Sequence, residues 1–255
     1  MDSDSLSGKT VLVAASEDRT ERLAEILEAR GVRAIPFPTV RIVPPRDPRP
    51  LDDAVQRWRS FDWIVFTSSN GVDAVVATAK TLGIDFSSGP AKIAAVGPAT
   101  KAAAEAAGLA VRAMPEEYLT DEIASALGDV CGLSILLPRS ALARRSLAEE
   151  LRGRGASVRE VDAYDPTLAE PNLDRLRGAG RIDFILFTSA SAARNLAALL
   201  SEEDFRRLKA EAEAACIGPV TAEAVRELGF RIAAVAGEHT VPGLVKALEE
   251  VEAHG

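Results

Sequence analysis

Two turns in this chain are crowded with groups suited to holding anions. In FTSSNG, Phe66 to Gly71, the polar residues Thr67, Ser68, Ser69 and Asn70 follow a short apolar run. In FTSAS, Phe187 to Ser191, Thr188, Ser189 and Ser191 follow another. A helix starting at such a turn presents free backbone N–H groups, and its macrodipole favours negative charge there. Plain N-capping needs only one Ser or Asn. Here a Thr-Ser pair precedes the helix in both places, an excess of polar groups over what a cap uses. Two further turns have a second pattern, VGPAT (Val96–Thr100) and IGPVT (Ile217–Thr221). Gly97 and Gly218 permit a sharp turn and close backbone approach to a ligand. Pro98 and Pro219 suit a first helical turn, and Thr100 and Thr221 add hydroxyls. A tight strand-to-helix turn without a ligand explains the same residues.

Arg139 and Ser140 close the run Ile135–Leu137, with Arg144 and Arg145 just beyond. A guanidinium fork suits carboxylates, whereas arginines on a helix face are ordinarily just solvated. Tyr164, in VDAYDPT, is one of only two tyrosines. Its phenol could donate a proton or a hydrogen bond, or could simply anchor a turn. Other chemistries lack their residues. The only histidines are His239, read as a loop or cap residue, and His254 in the tail; no HExxH or Cys/His cluster occurs, so no metal is expected. GxGxxG, GxxxxGK[ST] and GxSxG are absent as well.

The elements that must position these turns are written twice. Thr188 lies 121 residues after Thr67, and Gly218 lies 121 after Gly97. Thr10–Gly31 matches Ser134–Gly155 at an offset of 124, a difference that loops absorb. In that register Tyr164 matches Val40. Short apolar runs alternate with helical patterns. Strands are expected at Thr10–Ala14, Ala34–Phe37, Trp63–Phe66, Ile93–Val96, Ile135–Leu137, Val158–Val161, Phe184–Phe187 and Ala215–Gly218. The fold class is therefore α/β, with two similar parallel-sheet domains from an internal duplication, and sites in such sheets lie beyond the strands' carboxyl ends. The prolines of PPRDPRP, Pro44 to Pro50, mark a stiff loop or linker before a helix at Leu51–Trp58.

Length and composition agree. The chain has 255 residues, 47% hydrophobic and 27% charged, which is room for two domains of ordinary size. A net charge of −8 argues against nucleic acid or an anionic membrane as partner. Cys131 and Cys216 stand alone, as reduced thiols of a cytoplasmic protein do. The opening MDSDSLSGKT has no apolar core of a secretion signal, and no apolar run reaches membrane-spanning length.

Together these residues resemble the uroporphyrinogen-III synthase family. The resemblance is carried by FTSSNGV, VGPAT, LLPRS (Leu136–Ser140), DAYDPT (Asp162–Thr167), FTSAS, IGPVTAEA (Ile217–Ala224) and HTVPGLVKAL (His239–Leu248), in order along nearly the whole chain. It implies a discontinuous domain of residues 1–38 plus 168–255 and a second domain of residues 44–162. Linker strands 39–43 and 163–167 would join them around a cleft. It implies a cofactor-free, monomeric lyase of porphyrin, and hence heme, biosynthesis. The reaction would cyclise hydroxymethylbilane, a carboxylate-rich linear tetrapyrrole, to uroporphyrinogen III, with inversion of the last pyrrole ring and loss of water. By matching position Tyr164 is the catalytic donor. Thr67, Ser68, Ser69, Asn70, Gly97, Thr100, Arg139, Ser140, Thr188, Ser189, Ser191, Gly218 and Thr221 are the expected substrate-binding residues. One departure stands out: after the first strand the family often has Thr-Arg-Pro, where this chain has AASED, Ala14 to Asp18. A non-catalytic two-lobed homologue that binds a tetrapyrrole or another anion for regulation is the alternative.

Overall fold

The computed structural model describes residues 6–86, 89–116, 122–143 and 146–254. Arg144 and Arg145 lie outside the described residues. The chain divides into two compact units, Met1–Arg41 with Thr167–Gly255, and Ile42–Pro166.

The first unit opens with β1 (Thr10–Ser16), α1 (Glu17–Glu28) and β2 (Arg33–Val43), whose last residues belong to the other unit. In the second unit follow α2 (Arg49–Gln56), β3 (Trp63–Phe66), α3 (Ser69–Thr81), β4 (Lys92–Ala95), α4 (Pro98–Ala106), β5 (Val111–Ala113), α5 (Ile123–Ala126), β6 (Ser134–Ser140), α6 (Ser146–Gly153) and β7 (Ser157–Leu168). The chain returns to the first unit within β7. There it forms α7 (Leu173–Arg177), β8 (Phe184–Phe187), α8 (Ala190–Leu199), α9 (Glu202–Glu211), β9 (Glu213–Cys216), α10 (Pro219–Glu227), β10 (Arg231–Val235) and α11 (Val241–His254).

Each unit is a parallel sheet buried on both faces, so this is an α/β fold. The first sheet runs β10-β9-β8-β1-β2. Leu12, Ala14, Ile185, Phe187, Ala214 and Cys216 enter one apolar layer. Val11, Val13, Ala15, Phe184, Leu186 and Ala215 enter the other. Period-two alternation with both faces covered leaves no place for polar residues, which is why these strands read as unbroken apolar runs. The second sheet runs β7-β6-β3-β4-β5. Ile64, Phe66 and Leu136 pack on one side, and Trp63, Val65, Ile135 and Leu137 on the other.

Several elements differ from expectation. The strand expected at Ala34–Phe37 is the eleven-residue β2 and contains Pro36 and Pro38. Within its unit β2 is the sheet edge, where a missing N–H costs no ladder bond. The helix expected at Leu51 begins at Arg49, so Pro50 lies in its first turn, where proline is tolerated. The strand expected at Val158–Val161 runs on through Tyr164 and Pro166 to Leu168.

Candidate active site

In the second unit the connections leave β3 toward β4 and β5, whereas β6 leads to β7 on the opposite side. The reversal falls between β3 and β6, and a ligand crevice in an open α/β sheet forms at the carboxyl ends of such a pair. The turn after β3 carries FTSSNG. Ser68 is the N-cap of α3, and its Oγ accepts the Gly71 N–H at 3.2 Å. Thr67, Ser69 and Asn70 are half-buried around it.

Tyr164 reaches this turn from β7. Its hydroxyl lies 2.8 Å from Ser68 Oγ, a hydrogen bond between residues 96 apart in sequence. Only 8% of Tyr164 is exposed, and its ring packs in the layer that holds Val161 and Ala163. Consecutive residues of a regular strand face opposite ways, so Ala163 and Tyr164 can share a layer only if the strand is irregular. It is. Arg139 pairs with Asp162, but Ser140 pairs with Tyr164, so Ala163 is an extra residue at that step. The bulge turns Tyr164 away from the Asp162 side and toward Ser68. Ser140, opposite Tyr164, accepts the Leu142 N–H on its Oγ at 3.2 Å.

Most of the Arg139 guanidinium is engaged within the chain. The residue is 8% exposed, with Nε 3.0 Å from Glu160 Oε2 and Nη2 3.7 Å from Asp162 Oδ1. Nη1 donates to the carbonyls of Ser140 and Ala143, both at 3.1 Å. The carboxylates it meets in the structure belong to the chain itself. The Glu160 contact is one of charge, because neither Nε nor Oε2 is aligned for a hydrogen bond.

The first unit repeats the turn without the tyrosine. Ser189 caps α8, accepting the Ala192 N–H at 3.1 Å, and its Oγ lies 3.0 Å from that of the exposed Ser191. Thr188 is buried at 7% exposure. Gly97 and Gly218 are the N-caps of α4 and α10, but Thr100 and Thr221 sit inward at 5% exposure each. The Gly97 and Gly218 backbones are set at the strand ends.

His239 reads as a loop residue in the sequence, and the structure gives it a definite place. Gly218 has φ −176°, a conformation open to any residue, yet a Cβ there would lie 3.1 Å from His239 Cδ2. The His239 imidazole thus lies close over Gly218, leaving little room for a side chain there. The signal available in sequence was the 121-residue offset, which pairs His239 with the chain's other tyrosine, Tyr118. Cys216, beneath the same turn, is fully buried, and desolvation pushes its thiol up to about 12, outweighing the pull of Arg226. Such a thiol is a packing group, not a nucleophile. Among the described residues no three His, Cys, Asp or Glu side chains gather to hold a metal, and no helix is long and apolar enough to cross a membrane.

Polar turns gathered at the carboxyl ends of parallel strands define the class: an open-sheet α/β protein with such turns at each sheet's point of reversal. Comparison then gives the family. The family model for uroporphyrinogen-III synthase HemD matches residues 5–246. The chain is 31% identical over 254 residues to a uroporphyrinogen-III synthase of Synechococcus elongatus, covering 96% of both chains. It is 26% identical to the porphyrin biosynthesis protein HemD of Ruminiclostridium josui, covering 96% of this chain and 49% of that one. A crystal structure of a mutant uroporphyrinogen III synthase from Thermus thermophilus has the same fold, with a TM-score of 0.65, 21% identity, and 97% and 100% of the two chains covered. The chain belongs to the uroporphyrinogen-III synthase family of enzymes.

Proposed function

We propose that this enzyme converts hydroxymethylbilane to uroporphyrinogen III, a lyase step of porphyrin biosynthesis, with Tyr164 assisting departure of the substrate's hydroxyl. The observation that carries this reading is the Tyr164–Ser68 hydrogen bond at 2.8 Å. It joins a tyrosine that has no counterpart in the other copy of the repeat to the cap of the most hydroxyl-rich turn. The phenol donates its proton to the leaving hydroxyl, the carbon–oxygen bond breaks, and water departs, leaving a protonated azafulvene beside the phenolate. Attack by the substituted carbon of the last pyrrole gives a spiro intermediate. The bond from that carbon to its original bridging methylene then breaks, and the ring's free α-carbon bonds to that methylene, losing its proton to the phenolate, so the ring is rejoined inverted. Ser68 keeps the phenol aimed, being itself fixed by the Gly71 N–H.

The substrate's acetate and propionate groups suit the turns at Thr67–Asn70, Gly97, Thr188–Ser191 and Gly218, where helix starts favour anions. A bilane closes without help to isomer I, so holding it in the geometry that yields isomer III is as much the task as acceleration.

We also read the units as two copies of one ancestral domain, with residues 1–38 plus 168–255 and 44–162 as the domains and 39–43 and 163–167 as linker strands. Three observations support this. The order β2-β1-β8-β9-β10 corresponds strand for strand to β7-β6-β3-β4-β5. The corresponding strands keep the offsets of 124 and 121. Both copies carry a register shift at matching residues, where Ser16 meets Val40 and Ser140 meets Tyr164.

Tyr164→Phe tests the function. Formation of isomer III should slow by about a hundredfold with the fold unchanged. An unchanged rate removes Tyr164 from the chemistry.

A further inference from the structure

We infer that Arg139 is a positioning residue, whose work is to hold the bulge in β7 that aims Tyr164 at Ser68. The inference rests on the reading of Tyr164 as the proton donor. Arg139 stands at the register shift itself, the last residue of β6 paired before the extra Ala163. Its guanidinium touches both sides of the irregularity. Toward β7 it faces Asp162, the residue just before the bulge, and Glu160, two residues earlier. Glu160 is held from its other oxygen by Arg152 Nη1 at 3.0 Å. Toward its own strand, Arg139 Nη1 gathers the carbonyls of Ser140 and Ala143, closing the turn there together with the Ala143 N–H to Ser140 carbonyl bond at 3.0 Å. That turn is bonded to Tyr164 directly, because the Ala141 N–H donates to the Tyr164 carbonyl at 3.2 Å. One buried cation thus ties the segment before the tyrosine to the turn that grips the tyrosine's backbone.

The other unit supplies the comparison. The same shift occurs there, but Ala15 stands where Arg139 does and Val40 where Tyr164 does. Thr39, the extra residue, fastens that shift by donating from Oγ1 to the Ala15 carbonyl at 3.1 Å. A bulge of this kind therefore forms without an arginine. The arginine is present in the unit where a catalytic side chain leaves from the bulge. A cation facing Glu160 and Asp162 is also poorly placed to bind a substrate carboxylate.

The test is a double-mutant cycle on the whole enzyme, with hydroxymethylbilane as substrate and isomer III as the product measured. Arg139→Lys keeps a charge opposite Glu160 and Asp162, but one ammonium cannot reproduce the guanidinium's geometry across two carboxylates and two carbonyls. It should lower kcat about tenfold or more with KM changed less than about threefold, the effect of a misaimed donor. In a Tyr164→Phe background the same substitution should change the rate less than about twofold, since nothing remains to aim. Arg139→Met, if it folds, should behave likewise. Two results overturn the inference. A raised KM at unchanged kcat would make Arg139 a substrate ligand. Losses that multiply in the double variant would make its role independent of Tyr164. Failure of the unaltered enzyme to form isomer III would instead overturn the proposed function, so the two failures are distinct.

Discussion

At the scale of single residues, the surroundings of each group decide its chemistry. Tyr164 and Ser68 were legible in the sequence as an odd tyrosine and a hydroxyl-rich cap; their contact was not, because it depends on one extra residue in β7 that no composition or period announces. The partners of Arg139 were hidden for a related reason. A fork at a strand end suggests a ligand site, but its partners, Glu160 and Asp162, lie on the neighbouring strand, and pairing across strands is invisible in a linear reading. Ser68→Ala should therefore do two things. It removes a cap, costing about 1 kcal/mol of stability, and it frees the phenol, so isomer III formation should slow more than that stability loss explains. Urea unfolding beside steady-state rates measures both. The cysteines give a simpler check. Cys216 is buried with its thiol pushed up to about 12, and Cys131 is exposed. A thiol reagent at pH 8 should modify one cysteine per folded chain, at position 131, and two after denaturation. Fast modification of Cys216 in the folded chain would contradict the burial.

At the scale of elements, most of the strands were legible because burial on both faces writes them as apolar runs. What was missed follows from weaker burial. β5 and β10 lie at sheet edges and mix exposed arginines with partly buried residues, so neither template fits them. Polar α9 escaped notice too, yet it has a reciprocal cap. Ser201 Oγ accepts the Asp204 N–H at 3.1 Å and donates to Asp204 Oδ2 at 2.8 Å. Arg177 lies 2.9 Å from the same carboxylate. The guanidinium first, and the Ser201 hydroxyl second, hold Asp204 below the usual carboxylate range. Because the folded-state value is depressed, the stability it gives is full above about pH 4, the unfolded Asp range, and is lost as pH falls through the folded value. Asp204→Asn should lower the urea midpoint at pH 7 and make little difference near pH 2. An equal deficit at both would show that the charge is not what matters.

At the scale of the whole molecule, the chain passes between its units twice, within β2 and within β7, so one unit is built from both ends of the sequence. That arrangement was out of reach of periodicity, which sees neighbours along the chain; it came from the resemblance, while the equal offsets of 121 came from the turns themselves. The altered AASED segment places Glu17 and Asp18 in the first turn of α1, where acids stabilise a helix start. An anion-binding role there is thereby weakened, and the proposed account rests on the remaining turns. It requires that the chain, as it stands, directs ring inversion. The most direct measurement generates hydroxymethylbilane in place with the enzyme class that makes it, adds this protein, oxidises the products, and separates the uroporphyrin isomers. The account predicts mostly isomer III. Mostly isomer I, as in the protein-free control, would contradict it.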